Sequence, residues 1–372
     1  MAKQKNTKED YYLASQWVLM ARKLKQHKLA RVSFAILAFF YICALFADFL
    51  APYEASKFYP DYIDAAPTQI HMYHEGEFVG PFVYGVEWVT DKETFTLTIV
   101  EDKSEYYPLQ FFAKGYEYKL FGLIPCDIHL FGVGEGSNGG DSAKIFLFGA
   151  DKLGQDIFSR ILIGSRISLT IPFASAIISF FLGILMGSIS GYFGGFVDIA
   201  IQRIIEVIGA VPQIPLWMAL SAAIPPNIDS VSMYFYITLI LSFINWTGMA
   251  RIVRGKMLSL KNEDFVMAAR LAGVSTWDII WRHLVPGFMS YLIVSMTLGI
   301  PGSIVGETSM SYLGLGIKAP AVSWGVLLQD ASSVTDIAAY PHKLIPIIFV
   351  VATVLAYNFL GDGLRDAADP YK

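Results

Sequence analysis

The chain is poor in charge and nearly free of cysteine. Only 16% of its 372 residues are Asp, Glu, Lys or Arg, while 54% are hydrophobic and the mean hydropathy is +0.48. That balance excludes an ordinary water-soluble domain and makes an integral membrane protein the default. The two cysteines, Cys43 inside an apolar run and Cys126 far outside it, offer neither a disulfide framework nor a metal-ligand spacing. A net charge of −4, with no basic domain beyond the N-terminal tail, argues against nucleic acid as a partner. Also missing are a Gly-x-x-x-x-Gly-Lys-Ser/Thr phosphate loop, a Gly-x-Ser-x-Gly elbow and a His-Glu-x-x-His pair. Neither nucleotide hydrolysis nor a membrane-embedded hydrolase is expected, and no residue is assigned a catalytic or metal-binding role.

Long apolar runs take up most of the remainder. Residues 1–31 carry Lys3, Lys5, Lys8, Arg22, Lys23, Lys25, Lys28 and Arg31 against Glu9 and Asp10, directly before an apolar run from Val32 to Leu50. Positive charge beside a first span holds that end inside, so 1–31 reads as a cytoplasmic basic tail and 32–50 as the first span. The run is longer than a signal-peptide core, and no small-residue cleavage pattern follows it.

Residues 51–150 change character, setting six lysines against fifteen acidic residues. Thr94 to Val100, with Phe95, Leu97 and Ile99 inward, and Tyr116–Leu120, with Tyr116, Tyr118 and Leu120 inward, alternate with the period of half-buried strands. Gly76 and Gly80-Pro81 read as turns. The expectation is an extracytoplasmic β-rich insert between the first and second spans. His71, His74, Glu75 and Glu77 lie close together but lack a fixed ligand pattern, so they read as a solvated hairpin rather than a metal site.

Residues 151–372 read as the main transmembrane domain. Its spans are about Ile167–Ser190, Val207–Ile224, Tyr234–Ile252, Phe288–Gly306 and Leu344–Leu360, which with the first gives about six, an even count that leaves both ends cytoplasmic. Gly183, Gly187, Gly191 and Gly195 recur every fourth residue and clear one helix face for close packing. Pro212 and Pro215 imply a kink or broken turn facing protein or water, as irregular backbone in a bilayer must. Glu307, at the end of the fifth span, reads equally as a residue lining a substrate path or as a headgroup-level anion. Secondary transporters place ionisable groups near mid-membrane, often in repeated halves, and neither feature is evident.

The polar island from Asn262 to Pro286 organises the chain. Asn262 is placed to cap a first helix, with Glu263 and Asp264 putting negative charge on its first turn. Gly273 supplies a left-handed stop. Ser275 to Asp278 is an acidic variant of the capping box and opens a second helix. Phe265, Ala268, Ala269 and Ala272 share a small-residue face on the first. Trp277, Ile280, Trp281, Leu284 and Val285 form a bulky stripe on the second. Arg251, Arg254, Lys256, Lys261, Arg270 and Arg282 around the island place it inside. The plainer alternative is an amphipathic pair lying on the membrane surface.

Met267-Ala268-Ala269, then Gly273, His283 and Val285-Pro286, resembles the "EAA" coupling loop of binding-protein-dependent ABC importer permeases. The chain departs from the family pattern at Met267, where Glu is common, leaving Glu263 to supply any acidic contact. Gly149-Ala150-Asp151 to Ser159-Arg160 is similar to the segment leading into the second span of the C-type oligopeptide and dipeptide permease subunit, with Ala150 for Thr and Gln155 for Arg. Ser311 to Gly316 with Ser323-Trp324-Gly325 resembles an external loop of the same branch.

That resemblance implies an all-α polytopic membrane protein, a type I ABC importer transmembrane domain, in the bacterial inner membrane. It further implies a second homologous permease, two cytoplasmic ATPase subunits that use ATP and Mg, an extracytoplasmic substrate-binding protein, and no cofactor on this chain. Glu263, Phe265, Ala268, Ala269, Gly273, Ser275, Trp277, Asp278, Ile280, Trp281 and Pro286 would then couple to the ATPase. Peptides are the implied substrate, with glycosides, oligosaccharides or nickel as alternatives within the branch.

Overall fold

A computed structural model describes residues 16–90, 97–137, 143–225 and 228–368. The tail residues Lys3, Lys5, Lys8, Glu9 and Asp10, together with Phe95, lie outside those ranges. Among the described residues, five helices are long and apolar enough to cross a membrane, or up to six if one bent pair counts as a span.

In chain order the helices begin with α1 (Gln16–Gln26), α2 (Lys28–Leu45) and the short α3 (Ala47–Leu50). Strands β1 (His71–His74), β2 (Glu77–Thr90), β3 (Leu97–Leu120) and β4 (Ile124–Val133) follow. Then come α4 (Ile157–Phe193), α5 (Gly195–Ala210), α6 (Gln213–Ala222), α7 (Ser230–Leu260), α8 (Asp264–Leu271) and α9 (Thr276–Asp278). A π-helical segment, Ile279–Leu284, leads to α10 (Met289–Tyr312), α11 (Trp324–Asp330) and α12 (Ile345–Ala368). The contacts divide the chain into two compact units, one built from residues up to Ala38, Thr170–Glu307 and from Val351 on, the other from Phe39–Leu169 and Thr308–Val350.

In the first unit α4 and α7 run parallel at a separation only glycine permits. A Cβ on Gly183 would lie 2.5 Å from Met249 Cβ, one on Gly187 2.5 Å from the Ala250 carbonyl oxygen, and one on Gly191 2.6 Å from Met257 Cβ. Gly195 does not belong to this series. The helix stops at Phe193, Gly194 and Gly195 adopt φ of +68° and +54°, and nothing lies within 4 Å of a Cβ on Gly195. Its role is an elbow between α4 and α5, where positive φ favours glycine. Asp198, just past that elbow, is clamped by Arg254 of α7 through two hydrogen bonds of 2.6 Å.

The expected kinked third span is two helices, α5 and α6, bent by 93°. Pro212 caps α6 and Pro215 lies in its first turn, where a missing N–H breaks no helical bond. The fifth span also runs further than its sequence suggests, because α10 continues through Glu307 to Tyr312.

In the second unit the strands form an antiparallel sheet in the order β1-β2-β3-β4. Strand β3 serves two partners in turn: Leu97 to Pro108 pairs with β2, and Leu109 to Leu120 pairs with β4. Gly76 lies in the β1–β2 turn as expected, but Gly80-Pro81 lies inside β2, opposite a register shift between His71 and Tyr73. A strand tolerates proline at such an irregularity because no ladder donor is needed there. His71 faces Glu101 at 3.0 Å and His74 faces the Tyr84 hydroxyl at 3.0 Å, so the histidines engage separate partners. Behind the sheet Phe146 is fully buried against the rings of Tyr53, Tyr59 and Tyr62. The start of α4 is fixed by Asp156, whose Oδ2 accepts from the Ser159 amide (2.9 Å) and hydroxyl (2.6 Å).

Candidate functional site

The segment 262–286 folds as a pair of helices, and its ends differ from the sequence reading in one respect. The first residue of α8 is Asp264, its N-cap is Glu263 in extended backbone, and neither Asn262 nor Glu263 makes a side-chain cap. Asp264 still places its carboxylate on the first turn, where the free amides favour it. At the other end the Val274 amide donates to the Ala269 carbonyl (3.1 Å) and the Gly273 amide to Arg270 (3.0 Å), with Gly273 at φ +76°. This paired closure needs a left-handed residue after the last turn. Ser275 then restarts the chain, its hydroxyl accepting from the Asp278 amide at 3.2 Å and donating to Asp278 Oδ2 at 2.7 Å.

On the second helix the expected stripe is split between two faces, and Ile280, expected to couple to the ATPase, points inward. Ile280, Leu284 and Val285 are buried, as is Ile279, but Trp277 and Trp281 are exposed. The cause is the π winding from Ile279 to Leu284, whose hydrogen bonds span five residues instead of four. Residues five apart therefore share a face, and Ile279 with Leu284 and Ile280 with Val285 turn inward together. Such π segments occur mostly as single turns inside α-helices, frequently at functional sites.

The pair thus has two opposed surfaces. Underneath, Val266, Ile279, Ile280, Leu284, Val285, Phe288 and Leu292 join Ile184 of α4 and Met249, Val253 and Met257 of α7 in one buried cluster, with Ala269 packed against it. This is the same stretch of α4 and α7 that the glycines bring together. On the outside Phe265, Met267, Ala268, Leu271, Ala272, Trp277 and Trp281 are exposed, Leu271 by 88%. Pro286 is exposed after the π segment. Asp278 pairs with Arg282 at 3.0 Å, and the Arg270 guanidinium lies 5.2 Å over the Tyr192 ring. An apolar patch rimmed by charge is the form of a protein-docking surface. Met267 and Leu271, on the outer side of α8, were absent from the sequence-derived face. Their spacing of four was the available signal.

Further along the same unit, α6 and α10 meet. A Cβ on Gly306 would lie 3.1 Å from the Trp217 indole and 3.0 Å from Leu241 Cδ2. Glu307, the next residue, is fully buried within the chain. The α6 helix that Pro212 and Pro215 begin therefore packs, through Trp217, against α10 at Gly306. One turn before it, Asn245 Nδ2 donates to Ser303 Oγ at 2.9 Å and ties α7 to α10. Sequence reasoning passed over Asn245, although an amide inside the apolar run Phe243 to Trp246 is a signal in itself.

The profile of a family described as "Binding-protein-dependent transport system inner membrane component" matches residues 179–371. A second, "N-terminal TM domain of oligopeptide transport permease C", matches residues 15–67. The oligopeptide transport system permease protein OppC of Bacillus subtilis is 40% identical over 229 residues, 61% of this chain and 72% of that protein. The glutathione transport system permease protein GsiD of Pectobacterium atrosepticum is 39% identical over 249 residues, 67% of this chain and 80% of that one. An inward-facing structure of the MetNI methionine ABC transporter covers 56% of this chain and 95% of its own, at 17% identity and a TM-score of 0.45, too distant to carry an argument. On the strength of the family profile and these relatives, the chain belongs to the binding-protein-dependent transport system inner membrane components, as a permease of the oligopeptide and dipeptide branch.

Proposed function

We propose that this chain forms half of the membrane path of an ATP-driven importer for peptides or similar small solutes. A second homologous permease completes the path, two cytoplasmic ATPase subunits consume ATP and Mg, and an extracytoplasmic binding protein delivers the substrate. In this reading both termini and residues 262–286 face the cytoplasm, and the sheet of residues 71–133 faces outward.

The observation that carries the proposal is the two-sided build of the coupling pair. Its outer face offers Phe265, Leu271, Trp277 and Trp281 to a partner, while its inner face is packed into α4 and α7. A push on the outside is then delivered to membrane helices rather than dissipated in a loop, because packed interiors deform little. Coupling of this kind requires the two states of the permease to bind the ATPases with different free energies. Glu307, buried within the chain near α6, borders the path in this scheme.

Leu271→Cys, in a background with Cys43 and Cys126 replaced by Ser, tests the placement. A membrane-impermeant thiol reagent should label it in inside-out vesicles and not in right-side-out ones, and assembled ATPase should protect it. Labelling from the outside, or no protection, would contradict the proposal.

A further inference from the structure

The turn of the β3–β4 hairpin is built unlike the rest of the sheet. Between Lys119 and Asp127 lie seven uncharged residues, Leu120 to Cys126. Phe121, Leu123 and Ile124 at the tip are all exposed, Leu123 by 82%. A water-facing turn of glycine and polar residues would need none of these side chains, and an apolar tip left in water is an aggregation hazard.

The hairpin's contacts give its direction. Phe112 lies 6.3 Å from Phe49, measured between ring centroids. Further toward the tip, His129 bridges the carbonyls of Tyr116 and Asp48, its Nε2 3.1 Å from the first and its Nδ1 2.8 Å from the second. At the tip Phe121 meets Phe46 edge-on at 5.3 Å. As the hairpin advances, its partners step back along the chain from Phe49 to Asp48 to Phe46, that is, from the end of the first span toward its interior. Asp48 is the first charged residue after Arg31, so it marks where the apolar stretch of the span ends. Phe46, two residues before it, lies on the hydrocarbon side, and the tip is level with it. Phe39, Ile42 and Leu45 of α2, the span that ends beside Phe46, are exposed as well, as the lipid-facing side of a single span would be.

We propose that the tip Phe121–Ile124 inserts into the bilayer beside the first span and anchors the sheet to lipid. Lys119, exposed at its base, reaches the headgroup layer, as lysines beside apolar segments do. The inference rests on α2 being a membrane span and on no assignment of side, substrate or partner. The anchor holds the sheet at a fixed height over the membrane while the spans rearrange.

A nitroxide on Leu123→Cys, with Cys43 and Cys126 replaced by Ser, tests it in the full chain reconstituted into lipid vesicles. Labels at Ile42→Cys in α2 and at Glu75→Cys in the β1–β2 turn serve as references. The proposal predicts a ratio of oxygen to aqueous-nickel accessibility at Leu123 several-fold above that at Glu75 and close to that at Ile42. A Leu123 ratio equal to that at Glu75, with Ile42 lipid-exposed, would overturn the anchor and leave the span reading intact. A label shielded from both reagents would also overturn it, by showing that a protein covers the tip.

Discussion

The Val285 amide donates to the carbonyl of Ile280, five residues earlier, and this wide turn decides which side of the helix pair at 262–286 packs on α4 and α7. It sends Ile280 and Val285 under the pair and leaves Trp281 outside. Substitutions on the two faces should therefore separate stability from coupling. Ile280→Ala removes a fully buried side chain and is expected to cost about 2–5 kcal/mol, read as a lower melting temperature of the purified permease. Trp281→Ala should leave that temperature close to wild type and reduce ATPase stimulation instead.

The parallel approach of α4 and α7 makes a second prediction. Gly187→Leu has no room beside Ala250 and Val253 and should destabilise by about 1–3 kcal/mol or prevent assembly, visible as loss of a monodisperse peak in detergent. Gly299→Ala, in α10 where nothing lies within 4 Å, should be tolerated and gain up to about 1 kcal/mol from helix propensity.

Asp156 predicts a pH dependence. Burial pushes its carboxyl up from 3.8 to about 7, against the hydrogen bonds from Ser159 and Phe158 that favour the charge. The folded state therefore holds a proton that the unfolded chain releases at lower pH, so this residue's contribution falls as pH rises from about 4 to about 7 and is level outside that window. Melting temperatures across the window should decline for the wild type and less so for Asp156→Asn, which keeps an acceptor for the Ser159 amide. Equal slopes would show that Asp156 is ionised throughout.

Much of this was legible in the sequence, for identifiable reasons. Gly273 and Ser275 set the end of one helix and the start of the next by local chemistry alone, and the structure places both as their residue types require. The π turn was not legible. An α-helical period puts Trp277, Ile280, Trp281, Leu284 and Val285 on one stripe, whereas the π winding turns Ile280, Leu284 and Val285 inward and leaves Trp277 and Trp281 outside. Gly195 continues the four-residue spacing of Gly183, Gly187 and Gly191, yet it belongs to an elbow, because periodicity does not register that Gly194 has already left the helix. Glu307 was ambiguous because the apolar run fades before it, whereas α10 extends one further turn and buries it.

Glu307→Gln preserves shape while removing the ability to carry charge. If the residue lines the path, the variant should assemble with a near-normal melting temperature and transport more slowly. Unchanged transport by reconstituted vesicles would remove it from the path.

The most direct test of coupling through residues 262–286 is substrate-stimulated ATP hydrolysis by the assembled transporter carrying Gly273→Pro or Trp277→Glu. Proline abolishes the Gly273 amide bond to Arg270 and forbids the positive φ, while glutamate places a charge on the exposed apolar face. Both variants should reach the membrane and lose the stimulation. Full stimulation in both would contradict the account.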